Sequence, residues 1–327
     1  MKQIVAITGA NGFIGSHLVE LLVKKNFYVK CIVRPSSNLK WIEDLPIEVI
    51  DCGLADVVKL EQAFKGAEYV FHLAGGVKAK NQQAYDFANV SLTKNVLEAC
   101  KTSPTIKKII VTSSLAAAGP AKLNEPISEK KVRQPLSKYG ISKMRQEQLT
   151  EQYFDELPIT IIRPPVVYGA RDTEVFQFIE LVNRGLMLKA GFNKKYISII
   201  YVEDLVNGML QAAFSEECVS ETYFLSGDEI FNWDEMGQIV ASILNKKPVK
   251  LMVPHIILGA IAAVAELGGV LTNSTPTLNF EKVKEMKQVA WTCYNEKAKK
   301  DFAFKPYFSL QQGMLKTINW YKQNNWI

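Results

Sequence analysis

The sequence feature that most constrains the fold is the segment QIVAITGANGFIG (3–15), in which a short apolar run leads directly into closely spaced glycines. Gly9, Gly12 and Gly15 follow the predicted first strand and open the predicted first helix. Glycines at such a turn permit a tight bend and a close backbone approach, and the helix N-terminus that follows attracts a phosphate. The spacing G-x-x-G-x-x-G therefore predicts a dinucleotide-binding strand–turn–helix unit.

Short apolar runs alternate with longer segments of helical periodicity up to residue 165. Continuous apolarity is typical of parallel strands that are covered on both faces. Predicted strands are QIVAIT (3–8), YVKCIVR (28–34), IEVIDC (47–52), YVFHLA (69–74), KIIVTSS (108–114) and ITIIRP (159–164). Predicted helices are 13–25, 86–101 and 139–154. This βαβ order predicts an α/β fold with a doubly wound parallel sheet.

After residue 166 the alternation becomes irregular. The segments 202–214 and 223–227 read as one more helix and strand of the first domain. We therefore predict a dinucleotide-binding domain from 1–165 plus 203–228, and a smaller C-terminal α+β substrate-binding domain from 166–202 plus 229–327.

Composition excludes several classes of function. Lys and Arg number 39 against 33 Asp and Glu, and the lysines are scattered, so nothing predicts a nucleic-acid partner. The five cysteines and three histidines are dispersed, which argues against a zinc site and favours a reducing compartment. The apolar run before Gly9 is too short for a signal peptide, and we expect a cytoplasmic protein that acts on a small molecule.

The end of the second predicted strand bears on the choice of cofactor. An acidic residue at this place would hold the ribose 2′-hydroxyl of NAD, but the sequence is CIVRPSSN, with Arg34 and no nearby acid. A guanidinium can instead pair with the 2′-phosphate of NADP. The sequence therefore favours NADP over NAD, and a solvated strand-end arginine is the alternative interpretation.

The segment YGISK (139–143) sets a tyrosine four residues before a lysine. Residues four apart share a face of a helix, so Tyr139 and Lys143 could form a proton-transfer pair or an ordinary helix surface. Spacing alone does not decide between the two.

In its ordered motifs the chain resembles the extended short-chain dehydrogenase/reductase family, which joins a Rossmann domain to a C-terminal substrate domain. The motifs are TGANGFIG (8–15), HLAG (72–75), TSS (112–114), YGISK (139–143), RPPVVYG (163–169) and YVEDL (201–205). Any one of them is weak evidence, whereas the ordered set covers nearly the whole chain.

The resemblance implies roles for particular residues. Tyr139 would be the general acid/base, Lys143 would hold the nicotinamide ribose and lower the phenol pKa, and Ser114 would bind the substrate oxygen, with Ser113 as the alternative. His72 is interpreted as a packed strand end. Implied cofactor contacts, besides Tyr139 and Lys143, are Gly9, Asn11, Gly12, Phe13, Ile14, Gly15, Arg34, Leu73, Ala74, Gly75, Asn89, Pro164 and Val166.

The resemblance also bears on the substrate. Val166 stands where sugar-nucleotide enzymes of the family carry an asparagine, which favours relatives similar to dihydroflavonol reductases and 3β-hydroxysteroid dehydrogenases. We therefore expect hydride transfer between NADP and a secondary alcohol or ketone of an apolar substrate. A nucleotide-sugar epimerase or dehydratase is one alternative, and a non-catalytic cofactor-binding sensor is another.

Two further expectations concern surfaces. The apolar segment 254–271 is interpreted as a core helix, with the wall of a substrate pocket and a membrane-surface contact as alternatives. The resemblance implies a homodimer that forms through the helices near 90–103 and 139–154.

Overall fold

The computed structural model describes residues 2–272 and 279–327, and the side chains at 267 and 269–272 lie outside that description. The larger sheet has seven strands in the order β3-β2-β1-β4-β5-β6-β10, all parallel. These strands are β1 Ile4–Thr8, β2 Tyr28–Ile32, β3 Glu48–Ile50, β4 Tyr69–His72, β5 Lys108–Thr112, β6 Ile159–Arg163 and β10 Glu221–Phe224. The predicted doubly wound α/β fold is confirmed.

Helices cover both faces of this sheet. They are α1 Phe13–Lys24, α2 Val57–Phe64, α3 Gln82–Asp86, α4 Leu92–Lys101, α5 Leu115–Ala118, α6 Lys138–Glu151 and α8 Val202–Phe214. Every residue of the central strands β4, β5 and β6 is buried, which explains why these strands are mostly apolar and do not alternate between apolar and polar residues.

The helices before residue 102 differ from the sequence prediction in two respects. Helix α2 was not predicted. The predicted helix 86–101 is instead α3, a π-helical turn at Phe87–Ser91 and α4. A π turn inserts one extra residue into the helical repeat, and apolar periodicity does not reveal it.

The remaining strands form two small sheets. Strand β9 Tyr196–Tyr201 pairs with β7 Val166–Tyr168, β11 Ile230–Asn232 and β13 Ala290–Trp291, and β8 Leu186–Ala190 pairs in parallel with β12 Val249–Val253. The accompanying helices are α7 Glu174–Asn183, α9 Trp233–Leu244, α10 His255–Thr272, α11 Phe280–Lys287, α12 Glu296–Phe302 and α13 Leu310–Gln323. No helix among the described residues is long and apolar enough to cross a membrane.

One hydrophobic core reaches across both sets of elements. Val5 and Leu18, from the large-sheet layer, belong to the same buried cluster as Met187 and Val240. The division into two domains at the stated boundaries stays a prediction, because this cluster packs the two sets of elements together.

The interpretation of 254–271 as a core helix is wrong for the part of α10 with described side chains. Leu258 and Ala262 are buried, whereas Ile256 is 83% and Val264 70% exposed. The apolar sequence could not reveal this, since apolar composition does not distinguish a buried helix from one whose outer face lacks a partner.

We predict that Gly15→Ala lowers the unfolding free energy by about 1–3 kcal/mol, the usual cost of overpacking. A Cβ at this residue would lie 2.1 Å from the carbonyl oxygen of Gly9. Gly259→Ala is the matched control, because it also lies in a helix and its Cβ would meet no atom within 4 Å. Urea unfolding of both variants tests this, and equal stabilities would contradict it.

Candidate active site

The register of the large sheet brings the sequence motifs together. Thr8 pairs with His72, His72 with Val111, and Thr112 with Ile162, so the carboxyl ends of β1, β4, β5 and β6 lie side by side. The segments that follow these strands begin at Gly9, Leu73, Ser113 and Pro164. The chain reverses its direction of growth between β1 and β4, which is where open α/β sheets bind ligands.

The glycine turn after β1 has no room for a side chain at Gly9. Gly9 has φ of +74°, and a Cβ there would lie 2.6 Å from the backbone nitrogen of Ala74. Gly12 caps α1 without a side-chain hydrogen bond, so the first backbone N–H groups of the helix, at Phe13, Ile14 and Gly15, are open to an anion. This cradle fits the diphosphate of a dinucleotide.

The loop after β2 lies against the glycine turn. The side-chain amide of Asn11 donates to the carbonyl oxygen of Asn38 at 3.2 Å. Arg34 is exposed, and its guanidinium forms no salt bridge with any residue between 2 and 272 or between 279 and 327. Its backbone N–H donates to Ser37 Oγ at 3.1 Å. A solvent-facing cation and a hydroxyl thus flank the place where an adenosine ribose would lie.

Asn89 holds the segment after β4 in place. Its Oδ1 accepts from the backbone N–H of Gly76 at 2.8 Å, and its Nδ2 donates to the Gly76 carbonyl and to Ser142 Oγ at 3.0 and 2.8 Å. A Cβ on Gly75 would lie 2.7 Å from Asn89 Oδ1 and 3.8 Å from Lys143 Nζ. The π turn aims Asn89 inward, so Gly75, Asn89 and Lys143 lie in one small space.

Tyr139 lies at the start of α6 beside the end of β5. The hydroxyl of Ser114 lies beside its phenol and favours the phenolate. Burial has the larger effect and raises the pKa of Tyr139 to about 12, and the nearby carboxylate of Glu285 acts in the same direction. In the protein alone the phenol therefore keeps its proton at neutral pH.

Lys143 lies one turn further along α6, and only 4% of it is exposed. Its Nζ donates to the carbonyl oxygen of Thr112 at 2.6 Å. Burial lowers the pKa of Lys143 to about 7, and the carboxylate of Glu147 opposes that shift. The geometry brings Ser114, Tyr139 and Lys143 to one place, as the sequence interpretation required.

The two serines after β5 face different partners. Ser113 Oγ donates to the buried carboxylate of Glu147 at 2.5 Å. Ser114 contacts Tyr139 and also accepts from the backbone N–H of Ala116 at 3.1 Å, which caps α5. This arrangement favours Ser114 as the hydroxyl that faces the substrate, because the hydroxyl of Ser113 is bound to Glu147 of α6.

His72 is fully buried and has partners at both ring nitrogens. Thr8 Oγ1 lies 2.7 Å from Nδ1, and Thr93 Oγ1 lies 2.8 Å from Nε2. Burial, together with the charge of Lys143, lowers the pKa of His72 to about 3, so the ring is neutral. The structure agrees with the interpretation of His72 as a packed strand end.

Pro164 and Val166 follow β6 at the same sheet edge. The Pro164 carbonyl oxygen accepts from the backbone N–H of Leu115 at 2.9 Å, and this bond ties the two strand ends together. Val166 begins β7 and is 39% exposed. An apolar side chain is therefore accessible where the substrate would meet the end of the sheet.

A buried ionic network behind the site was missed from the sequence. Glu147 is fully buried, and its carboxylate accepts from Arg163 Nε and Nη2 at 2.8 and 2.6 Å and from Arg133 Nη1 at 3.1 Å. The available signal was the spacing, since Glu147 lies four residues after Lys143 on the same helix.

Two further neighbours of Tyr139 were also missed. The ring centroid of Tyr85 lies 6.2 Å from that of Tyr139. Glu285 reaches the site from α11, whose Glu281 accepts from the backbone N–H of Lys138 at 3.0 Å. These residues lie far from Tyr139 in the chain, and no local pattern marks them.

A glycine turn after the first strand, with a Tyr/Lys pair at the same sheet edge, is the arrangement of an extended short-chain dehydrogenase/reductase. A sequence model of the NAD dependent epimerase/dehydratase family matches residues 5–223. The chain belongs to this family.

Similar proteins carry out different reactions. The chain is 27% identical to a ceramide reductase of Caulobacter vibrioides, over 100% of this chain and 96% of that protein. It is 26% identical to an N-acetyl-α-D-glucosaminyl-diphospho-ditrans,octacis-undecaprenol 4-epimerase of Escherichia coli O157:H7, over 98% and 96%. The crystal structure of gox2253 superposes with a TM-score of 0.83 at 26% identity, covering 99% of each chain.

We predict that Ser114→Ala and Ser113→Ala separate two roles. Ser114→Ala is expected to lower turnover, since it removes the hydroxyl beside Tyr139, and to lower the unfolding free energy by about 0.5–2 kcal/mol, the usual cost of losing a helix cap. Ser113→Ala is expected to lower the unfolding free energy by about 1–3 kcal/mol, because it removes a buried hydrogen bond to a carboxylate. Steady-state rates and urea unfolding of both variants test this, and the reverse pattern would show that the roles are exchanged.

Proposed function

We propose that the protein is an NADP-preferring oxidoreductase that transfers a hydride between the nicotinamide and a secondary alcohol or ketone carbon of an apolar substrate. The observation that carries the proposal is the placement of Ser114 beside the phenol of Tyr139, with buried Lys143 one turn along the same helix. This arrangement lies at the sheet edge that also carries the glycine cradle.

The residues divide the chemistry of ketone reduction between them. Ser114 would donate a hydrogen bond to the carbonyl oxygen, and Tyr139 would give its proton to that oxygen as the hydride reaches the carbon. The charged ammonium of Lys143 would stabilise the phenolate that remains, and in the reverse direction the phenolate would take the alcohol proton. A pKa of about 12 suits Tyr139 as a proton donor in the reductive direction.

The residues around the glycine turn fit a dinucleotide cofactor. Gly9, Gly12 and Gly15 would hold the diphosphate. Gly75 lies close to Asn89 and Lys143, and these three residues would line the site of the nicotinamide ribose. When bound, the nicotinamide supplies or accepts the hydride. Its oxidised ring is positive, which adds to the charge that favours the Tyr139 phenolate.

The preference for NADP rests on Arg34. Its exposed guanidinium has no acidic partner among the described residues and follows β2 at the sheet edge. The 2′-phosphate of NADP would be an anionic partner for this guanidinium through a charge-assisted hydrogen bond. The family is described as NAD dependent, so the preference for NADP is a part of the proposal that rests on Arg34 alone.

An apolar substrate is supported by accessible Val166 and by the relatives. Ceramide and an undecaprenol-linked sugar are the substrates in the names of these two relatives, and both are lipids. By similarity, we propose that the substrate of this chain also carries a long apolar group.

The epimerase relative supports a second candidate function, in which the same transient oxidation inverts a sugar carbon. The two functions differ in cofactor balance, since a reductase consumes one NADPH per product and an epimerase regenerates its cofactor in each cycle. Stoichiometric loss of NADPH with a long-chain ketone supports the reductase. Isomerisation of a sugar nucleotide without net loss of cofactor would overturn it.

We predict that Tyr139→Phe lowers turnover by roughly 10²–10⁴ while cofactor binding stays nearly intact, because only the transferable proton is lost. Tyr85→Phe is the matched control: it removes a neighbouring phenol whose hydroxyl donates to the Val77 carbonyl oxygen at 3.3 Å. Near-normal turnover of Tyr139→Phe would exclude Tyr139 as the general acid.

We predict that NADPH binds more tightly than NADH by roughly ten- to a hundredfold, the worth of one charge-assisted hydrogen bond. Arg34→Ala should remove most of this difference and leave NADH affinity little changed, since the glycine cradle is common to both cofactors. Arg184→Ala is the control, because Arg184 is an exposed arginine that directly follows α7. Fluorescence titration with both reduced cofactors measures the ratio, and equal affinities in the unmodified protein would refute the preference.

A further inference from the structure

Helix α10 carries an exposed apolar stripe. Ile256, Ile257, Ile261 and Val264 are 83%, 48%, 48% and 70% exposed. Their spacing places them within an arc of about 140° around the helix, given 3.6 residues per turn. The opposite side of α10 packs on α11, where Leu258 and Ala262 form a small core with Val283. The helix therefore lies on the protein with one side buried and one apolar side outward.

The two-stranded sheet that leads into α10 carries a second exposed apolar surface. In parallel register Val249 lies beside Leu186 and Leu251 beside Leu188, so all four side chains share one face. They are 59%, 37%, 44% and 37% exposed, respectively. Only Pro254 separates this sheet from α10. We refer to these four residues and the four of the α10 stripe together as the apolar face.

Lysines border the apolar face on three segments of the chain. Exposed residues of this set are Lys194, Lys246, Lys247, Lys282, Lys284 and Lys287, of which Lys282 is paired with Glu285 at 3.6 Å. Lys250 lies on the opposite face of β12, where its ammonium is 3.5 Å from the carboxylate of Asp234. Lys195 and Lys287 lie close enough to His255, the first residue of α10, for their charges to lower its pKa together with burial.

The acidic side chains of α10 and α11 with described positions are engaged by the protein. Glu266 accepts from the backbone N–H of Phe280 at 2.8 Å, and Glu281 accepts from the backbone N–H of Lys138. Glu285 pairs with Lys282 at 3.6 Å, and its charge raises the pKa of Tyr139. Lysine therefore dominates the charge at the rim of the apolar face.

The apolar face adjoins the candidate active site through α11. One side of α11 packs against α10 at Val283, and another carries Glu281 to Lys138 and Glu285 to the surroundings of Tyr139. A single helix thus separates the exposed stripe from the reacting phenol. A substrate held in a layer against α10 would be one helix away from Ser114 and Tyr139.

We propose that the apolar face docks on an anionic lipid bilayer, so that the enzyme takes its long-chain substrate from that bilayer; this rests on the proposed function. Exposed aliphatic side chains bordered by lysines match the combination of hydrocarbon and anionic headgroups at a membrane surface. A second copy of the chain fits less well, because a two-fold contact through this face would bring the lysine rims of both copies together.

Vesicle sedimentation of the full chain tests the proposal. The protein should bind vesicles that contain phosphatidylglycerol, bind phosphatidylcholine vesicles weakly, and lose binding as salt is raised. The double variant I256E/I261E should bind about a hundredfold less, since it removes two isoleucines that the bilayer would bury. V58E is the matched control, because Val58 lies on α2 and is 64% exposed. Unfolding temperatures establish that each variant is folded.

A second variant separates charge from apolar contact. K246Q/K247Q should weaken binding to phosphatidylglycerol vesicles several-fold and leave the weak binding to phosphatidylcholine unchanged. Equal binding of I256E/I261E and V58E, or no binding of the unmodified protein, would overturn the proposal. A dimer without vesicles that I256E/I261E converts to monomer would also overturn it, in favour of a second copy. Vesicle binding needs no turnover, so failure of the reductase assignment is observed separately.

Discussion

Glu147 carries a carboxylate that is completely buried between α6 and the sheet, and three side chains from other segments bind it. Ser113 comes from the end of β5, Arg163 from the end of β6, and Arg133 from the segment before α6. A buried charge without such partners would cost several kcal/mol, so the carboxylate can occupy this position only when both strand ends are in place. Through this contact α6 is fixed against the two strands whose ends form the site.

The position of α6 determines the chemistry on its other side. Tyr139 and Lys143 lie one turn apart, and the network at Glu147 begins one turn beyond Lys143. Burial raises the pKa of Tyr139 and lowers that of Lys143, so both groups tend toward their neutral forms in the protein alone. A positive nicotinamide and the carboxylate of Glu147 act against these two shifts. The proton equilibrium of the pair is thus coupled to the cofactor and to the buried network.

Helix α11 brings a second part of the chain to the site. Helix α11 reaches the start of α6 through Glu281 and brings Glu285 near the phenol, while its other side supports α10. The surroundings of Tyr139 therefore combine a rigid sheet edge with a helix pair whose outer side is apolar.

The sequence by itself determined the parallel sheet, the glycine cradle and the order of the site motifs, because each depends on local patterns: continuous apolar strands, glycines at a strand end, and a Tyr/Lys pair at helical spacing. The helix α2, the π turn that aims Asn89, and the exposed stripe of α10 were not predicted. Only the tertiary structure decided that Ser114 rather than Ser113 meets Tyr139, that Glu147 is shared by two arginines, and that Glu285 lies at the site. These contacts join residues up to 146 positions apart, from Tyr139 to Glu285, and they arise from packing between elements, which leaves no period or motif in the chain.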